Sequence, residues 1–206
     1  MNETYYEVDY SKSSKRSIIN KIYSEPGSWF LGIFSIAFAF LGINMFRMGT
    51  YLNLYNDGLL MGLIVGMVIH ESAHKYAGRR NGCLSMYVTT AWGVLVTIAS
   101  GFSPIKLLIP GFTSLICFSR VSSEGEFEIS SWGPLTNIVL AIVAIAIYYA
   151  GIHSVFLQGF LVINVWLAVF NLLPIPPLDG WKMVKISPLK WGVIFTVSIL
   201  LFFTPL

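Results

Sequence analysis

Two histidines and a glutamate close an oily stretch, Met67 to Ala77, in the order His70-Glu71-Ser72-Ala73-His74. The pattern is H-E-x-x-H. On a helix, residues i and i+4 share one face, so both imidazoles reach a single metal ion. Glu71 lies one residue round, close enough to take a proton from metal-activated water and pass it to a leaving amine. An unpaired glutamate beside two histidines in apolar surroundings would cost at least several kcal/mol, and a metal ion supplies the missing partner. The chemistry this points to is Zn2+-assisted hydrolysis of a peptide bond.

Catalytic zinc typically takes three protein ligands and leaves one position for water. The longer pattern H-E-x-x-H-x-x-G-x-x-H fails here, because its next positions hold Ala77 and Arg80. Of the aspartates, Asp9 lies in a polar N-terminal tail, Asp57 at the far end of the same helix, and Asp179 at the end of "NLLPIPPLDG". In "EGEFEIS", Glu124, Glu126 and Glu128 alternate with Gly125, Phe127 and Ile129, which reads as the wet face of a strand. His153, in "AGIHSVF", reads as an interfacial residue. Asp179 is the candidate left standing. Cys83 and Cys117 form no CxxC or ribbon spacing and read as small hydrophobic fillers.

The elements that must carry these residues are unusual for a soluble chain. Of 206 residues, 55% are hydrophobic and only 11% charged, far from the roughly 25% charged of an ordinary soluble domain. Uncharged runs cover residues 27–46, 81–105, 129–152, 154–178 and 191–206. A bilayer core about 30 Å thick needs roughly 20 apolar residues in a helix. The expectation is an all-α polytopic membrane protein with five or more transmembrane helices. Residues 1–26 read as a cytoplasmic tail and 27–206 as a membrane-embedded core, with residues 27–46 a retained span rather than a removable signal. No basic stripe interleaved with aromatics points to a nucleic-acid partner.

The positive-inside rule puts the tail, the region after Lys75 and the loop with Lys182, Lys185 and Lys190 in the cytoplasm. The helix from about Gly58 to Tyr76 then runs inward. His70 lies 12 residues, ~18 Å, along it, so the zinc would sit inside the bilayer, nearer the cytoplasmic face. Asp179 closes the later span. Were residues 81–105 to cross once, Asp179 would emerge a bilayer away from His70. Residues 81–130 must therefore return to the side they left. Within them, residues 83–130 read as a small re-entrant or strand-containing element between the HExxH and GPLTN helices.

With these residues in hand, the chain resembles the site-2 protease family of intramembrane zinc metalloproteases, in a compact form without PDZ or CBS domains. Three motifs carry the resemblance: "HESAH", "GPLTN" (Gly133 to Asn137) and "NLLPIPPLDG" (Asn171 to Gly180). It implies that His70, His74 and Asp179 bind zinc, that Glu71 is the general acid/base, and that cleavage falls in or near transmembrane segments of protein substrates. The setting it implies is the lipid bilayer of a cell membrane.

Around those motifs, Pro174, Pro176 and Pro177 break a helix, and unwound backbone at membrane depth is tolerated where it lines a cavity. Asn171 is a candidate to bind substrate backbone or a developing oxyanion, or else to bond carbonyls freed by the prolines. Asn137 is a candidate substrate contact or helix–helix glue. Gly133-Pro134 reads as a helix start. Strand-like residues near 113–130 could add a strand to an extended substrate. Two other readings remain: an inactive homologue that binds membrane segments, and a metal transporter using the same three ligands.

Overall fold

The computed structural model describes residues 25–41, 54–103 and 107–204. The expected cytoplasmic tail lies, but for its last two residues, outside the described residues. Among those described, the order is α1 (Glu25–Leu41), α2 (Leu54–Arg80), β1 (Cys83–Thr89), α3 (Ala91–Ser100), β2 (Gly111–Cys117), α4 (Ser123–Tyr149), α5 (Val155–Asn171), α6 (Asp179–Ile186) and α7 (Pro188–Phe202). The protein is mostly helical.

Three helices, α2, α4 and α5, pack on one another and form the centre. Glycines at 58, 62 and 66 leave one stripe of α2 without side chains. A Cβ at Gly58 would fall on the carbonyl of Phe156, and one at Gly66 on the Asn164 carboxamide. Close backbone approach of this kind is how small residues join apolar helices. The side chains that fill the remaining space are aliphatic: Leu63, Met67 and Leu167 on one side, and Ala141, Ala144, Leu161 and Val165 on the other.

The β1–β2 pair sits beside this centre. It is antiparallel, with Tyr87 opposite Thr113 and Cys83 opposite Cys117. Glu25 ties it to the helices: its Oε1 accepts from Lys75 Nζ on α2, from the Tyr87 backbone N–H at 3.2 Å and from Trp29 Nε1 at 3.4 Å. Trp29 stacks on Tyr87, ring centroids 4.2 Å apart. Thr90 caps α3, its hydroxyl accepting from Gly93 N–H.

Polarity is distributed inside out. Asn137, Asn164, Ser28, Ser35, Thr97 and Ser198 are fully buried, whereas Phe30, Trp92, Phe118, Tyr149, Leu189 and Phe203 stand largely in the open. Among the described residues, α4 alone is long and apolar enough to cross a membrane by length and composition. The apolar helices α1, α5 and α7 have 17, 17 and 15 residues.

Several expectations are corrected. The Glu124–Ile129 alternation is not a strand but the first turns of α4. Ser122 caps this helix by accepting from Gly125 N–H, and Glu124 and Glu126 face its positive end. Pro134 lies inside α4 rather than at its start. The span expected to reach residue 178 ends at Asn171, and Asp179 begins the short helix α6 instead of closing the longer one. Cys83 and Cys117 are not separate fillers: strand pairing sets them opposite each other in a disulfide.

Candidate metal centre

Helix α2 delivers His70, Glu71 and His74, and the first turn of α6 delivers Asp179. The two Nε2 atoms face each other at 3.0 Å. Asp179 Oδ2 lies 3.0 Å from His74 Nε2 and 3.3 Å from His70 Nε2. All three residues are buried. Tetrahedral ligands on ~2.0 Å zinc bonds stand about 3.3 Å apart, so the separations suit one small ion. His70, His74 and Asp179 are positioned to bind a metal.

Hydrogen bonding fixes which histidine nitrogens are available. His74 Nδ1 lies 2.6 Å from the Ile129 carbonyl, which can only accept, so Nδ1 carries the proton and Nε2 a lone pair. His70 Nδ1 lies 2.7 Å from Asn137 Oδ1. The orientation of that carboxamide is forced, because Asn137 Nδ2 donates to the Gly66 carbonyl at 3.2 Å and to Asn164 Oδ1 at 3.1 Å. Asn164 is oriented in turn by donating to the carbonyls of Phe160 and Gly62. A chain of bonds anchored on backbone carbonyls thus sets the tautomer of His70. Two lone pairs and a carboxylate oxygen then converge on one point, which a cation relieves.

Helix α4 closes the back of the centre. Pro134 withholds the backbone donor that Ser130 would otherwise receive, next to the Ile129 carbonyl that meets His74. Gly133 lies against the ligands themselves: a Cβ there would fall on both Nε2 atoms. The glycine of "GPLTN" is thus set by the absence of room for a side chain.

On the open side, Glu71 Oε2 accepts from the Thr113 hydroxyl at 2.7 Å. A cavity beside it is lined by Met67, His70, Glu71, Tyr87, Gly111 and Asn171, among others. Asn171 faces this cavity while its Nδ2 donates to the Leu167 carbonyl of its own helix at 2.9 Å. Asn137 is elsewhere, fully buried behind His70. His153 packs on the Tyr148 ring, away from the centre.

Asn164, Thr113 and Tyr87 escaped the sequence reading. The Tyr87 hydroxyl is buried and has no hydrogen-bond partner among the described residues. An asparagine inside the apolar run 154–178 was the available signal for Asn164, since a carboxamide there needs partners.

Curated proteins to which the chain is similar include three described as zinc metalloproteases. "Putative zinc metalloprotease MJ0611" of Methanocaldococcus jannaschii is 32% identical over 140 residues, covering 63% of this chain and 70% of that protein. "Putative zinc metalloprotease YwhC" of Bacillus subtilis is 26% identical over 152 residues, 62% of this chain and 67% of that protein. "Zinc metalloprotease MJ0392" of Methanocaldococcus jannaschii is 24% identical over 148 residues, and the chain spans only 38% of its length. No family model and no solved structure matches the chain.

Proposed function

Because this chain belongs to the site-2 protease family of zinc metalloproteases, we propose that it cuts peptide bonds in or near the transmembrane segments of other membrane proteins. The observation that carries this reading is the placement of a buried two-histidine, one-aspartate centre inside a bundle whose outward faces are apolar. Such a surface suits lipid, and a metal centre enclosed by it meets substrate at membrane depth. The reading makes residues 27–206 a polytopic membrane core of five or more crossings. The exposed Arg79 and Arg80 at the end of α2, and the tail, then face the cytoplasm.

His70, His74 and Asp179 hold the zinc. Zinc supplies the charge that polarises a peptide carbonyl and acidifies water. Glu71 accepts the proton from water and returns it to the departing amine. Thr113 occupies Glu71 Oε2, which leaves Oε1 for this exchange. Asn171, at the cavity wall, donates to substrate backbone or to the developing oxyanion. Asn137 acts from behind His70, holding its ring. Helical peptide bonds are shielded by their own hydrogen bonds, and the outer edge of β2 offers an unwound segment of substrate a strand to pair with.

The test is cleavage of a single-span peptide in proteoliposomes, wild type against Glu71→Gln, with zinc measured on both. The reading requires wild-type cleavage, its loss in Glu71→Gln, and equal zinc. Zinc flux that survives Glu71→Gln, without cleavage by wild type, would establish the transporter instead. Bound zinc with neither cleavage nor flux would establish the inactive homologue.

A further inference from the structure

We propose that Thr113 is a positioning residue for the catalytic glutamate, so that the β1–β2 pair is a working part of the active site. The inference rests on the reading of Glu71 as general base. Thr113 Oγ1 lies 2.7 Å from Glu71 Oε2 and 3.0 Å from the Glu71 backbone carbonyl. A hydroxyl carries one hydrogen, and both of these oxygens are acceptors. The carboxylate is the nearer and the charged one, so it takes the stronger bond.

The geometry gives the bond a purpose. Glu71 is only half-buried and carries several rotatable bonds, which cost free energy to freeze. A bond from a different element, 42 residues away in sequence, selects one rotamer. Oε2 is held and Oε1 takes no part in that bond, on a residue that lines one cavity with His70 and Asn171.

The strand that supplies the hydroxyl is itself held on several sides. Thr113 pairs with Tyr87, whose ring is buried on Trp29 and whose backbone N–H is bonded by Glu25. Leu115, two residues on, fills the space that Gly78 leaves on α2. The Cys83–Cys117 bond closes the end of the pair. Threonine suits the position twice, as a β-branched strand residue and as a donor. Valine would keep the shape and remove the bond.

The experiment measures kcat, KM and bound zinc for wild type, Thr113→Val, Thr113→Ser and Glu71→Gln on a single-span peptide substrate in proteoliposomes. Thr113→Val should lower kcat about tenfold or more, because small misplacement of a catalytic group is costly. KM and zinc should hold, and Thr113→Ser should recover most of kcat. Full kcat in Thr113→Val beside an inactive Glu71→Gln overturns this inference and leaves the general-base reading intact. Activity in Glu71→Gln overturns both. An equal loss in Thr113→Val and Thr113→Ser, or a loss confined to KM, shows packing or substrate binding and also overturns it. If Thr113→Val loses zinc, Thr113→Ala is judged by the same criteria.

Discussion

His70 gives its Nδ1 hydrogen to Asn137 Oδ1 at 2.7 Å, across the interface between α2 and α4. That bond leaves Nε2 as the lone-pair side, and Asn137 is itself oriented by Gly66 and Asn164. Partners of this kind typically tune metal affinity 10–100-fold. Asn137→Leu should therefore weaken zinc binding by about that range, and Asn164→Leu should weaken it less, because Gly66 still orients Asn137. Chelator competition on the purified protein measures both. Unchanged affinity in Asn137→Leu would mean that the tautomer of His70 is set in some other way.

Gly133→Ala sets two effects against each other. Alanine is the better helix former by about 1 kcal/mol, so the helix alone would gain. The added methyl, however, would fall on the Nε2 atoms of His70 and His74. The steric effect should dominate at the site: bound zinc and cleavage fall sharply while helical content stays at the wild-type level. Circular dichroism with zinc analysis separates the two. Full zinc occupancy in Gly133→Ala would show that α4 can move back from the ligands.

The grouping of His70, His74 and Asp179 was legible because these residue types are costly in apolar surroundings and few other carboxylates competed. The chain around them was less so. Glu124 to Ile129 alternates over too few residues to outweigh the Ser122 cap and the acidic first turn that make it helical. Cys83 and Cys117 are separated by 34 residues, and only the strand register brings them together. Thr113 and Asn137 carry uncharged groups whose roles depend on what lies opposite. Asn137 could be read as glue or as substrate contact, and its partner His70 is visible only in three dimensions.

The Cys83–Cys117 bond should stabilise the protein chiefly through the unfolded chain. For a sequence separation of 34 residues, the chain-entropy model gives about 4 kcal/mol. Reduction by a dithiol, or Cys117→Ser, should lower the thermal midpoint by several degrees and leave the zinc content at the wild-type level, because neither cysteine touches the ligands. Differential melting with and without reductant measures it. Loss of zinc on reduction would show instead that the strand pair supports the metal centre itself.

The outer edge of β2 gives a sharper test of how substrate is held. Bonds from Thr90 N–H to the Pro110 carbonyl and from Phe118 N–H to the Gly82 carbonyl bracket the sheet. By antiparallel alternation, the even-numbered residues of β2 then exchange bonds with β1, and the N–H groups of Thr113 and Leu115 point away from it. Leu115→Pro removes one of those outward donors and spares the β1 ladder. The Leu115 side chain also covers Gly78, so Leu115→Ala is the control for lost packing. If an unwound substrate pairs along this edge, Leu115→Pro should cut transmembrane peptides about tenfold more slowly than Leu115→Ala, a loss in keeping with a misplaced scissile bond. Both variants should hold wild-type zinc. Equal rates in the two variants would exclude strand addition and leave the cavity beside Glu71 and Asn171 to position the substrate alone.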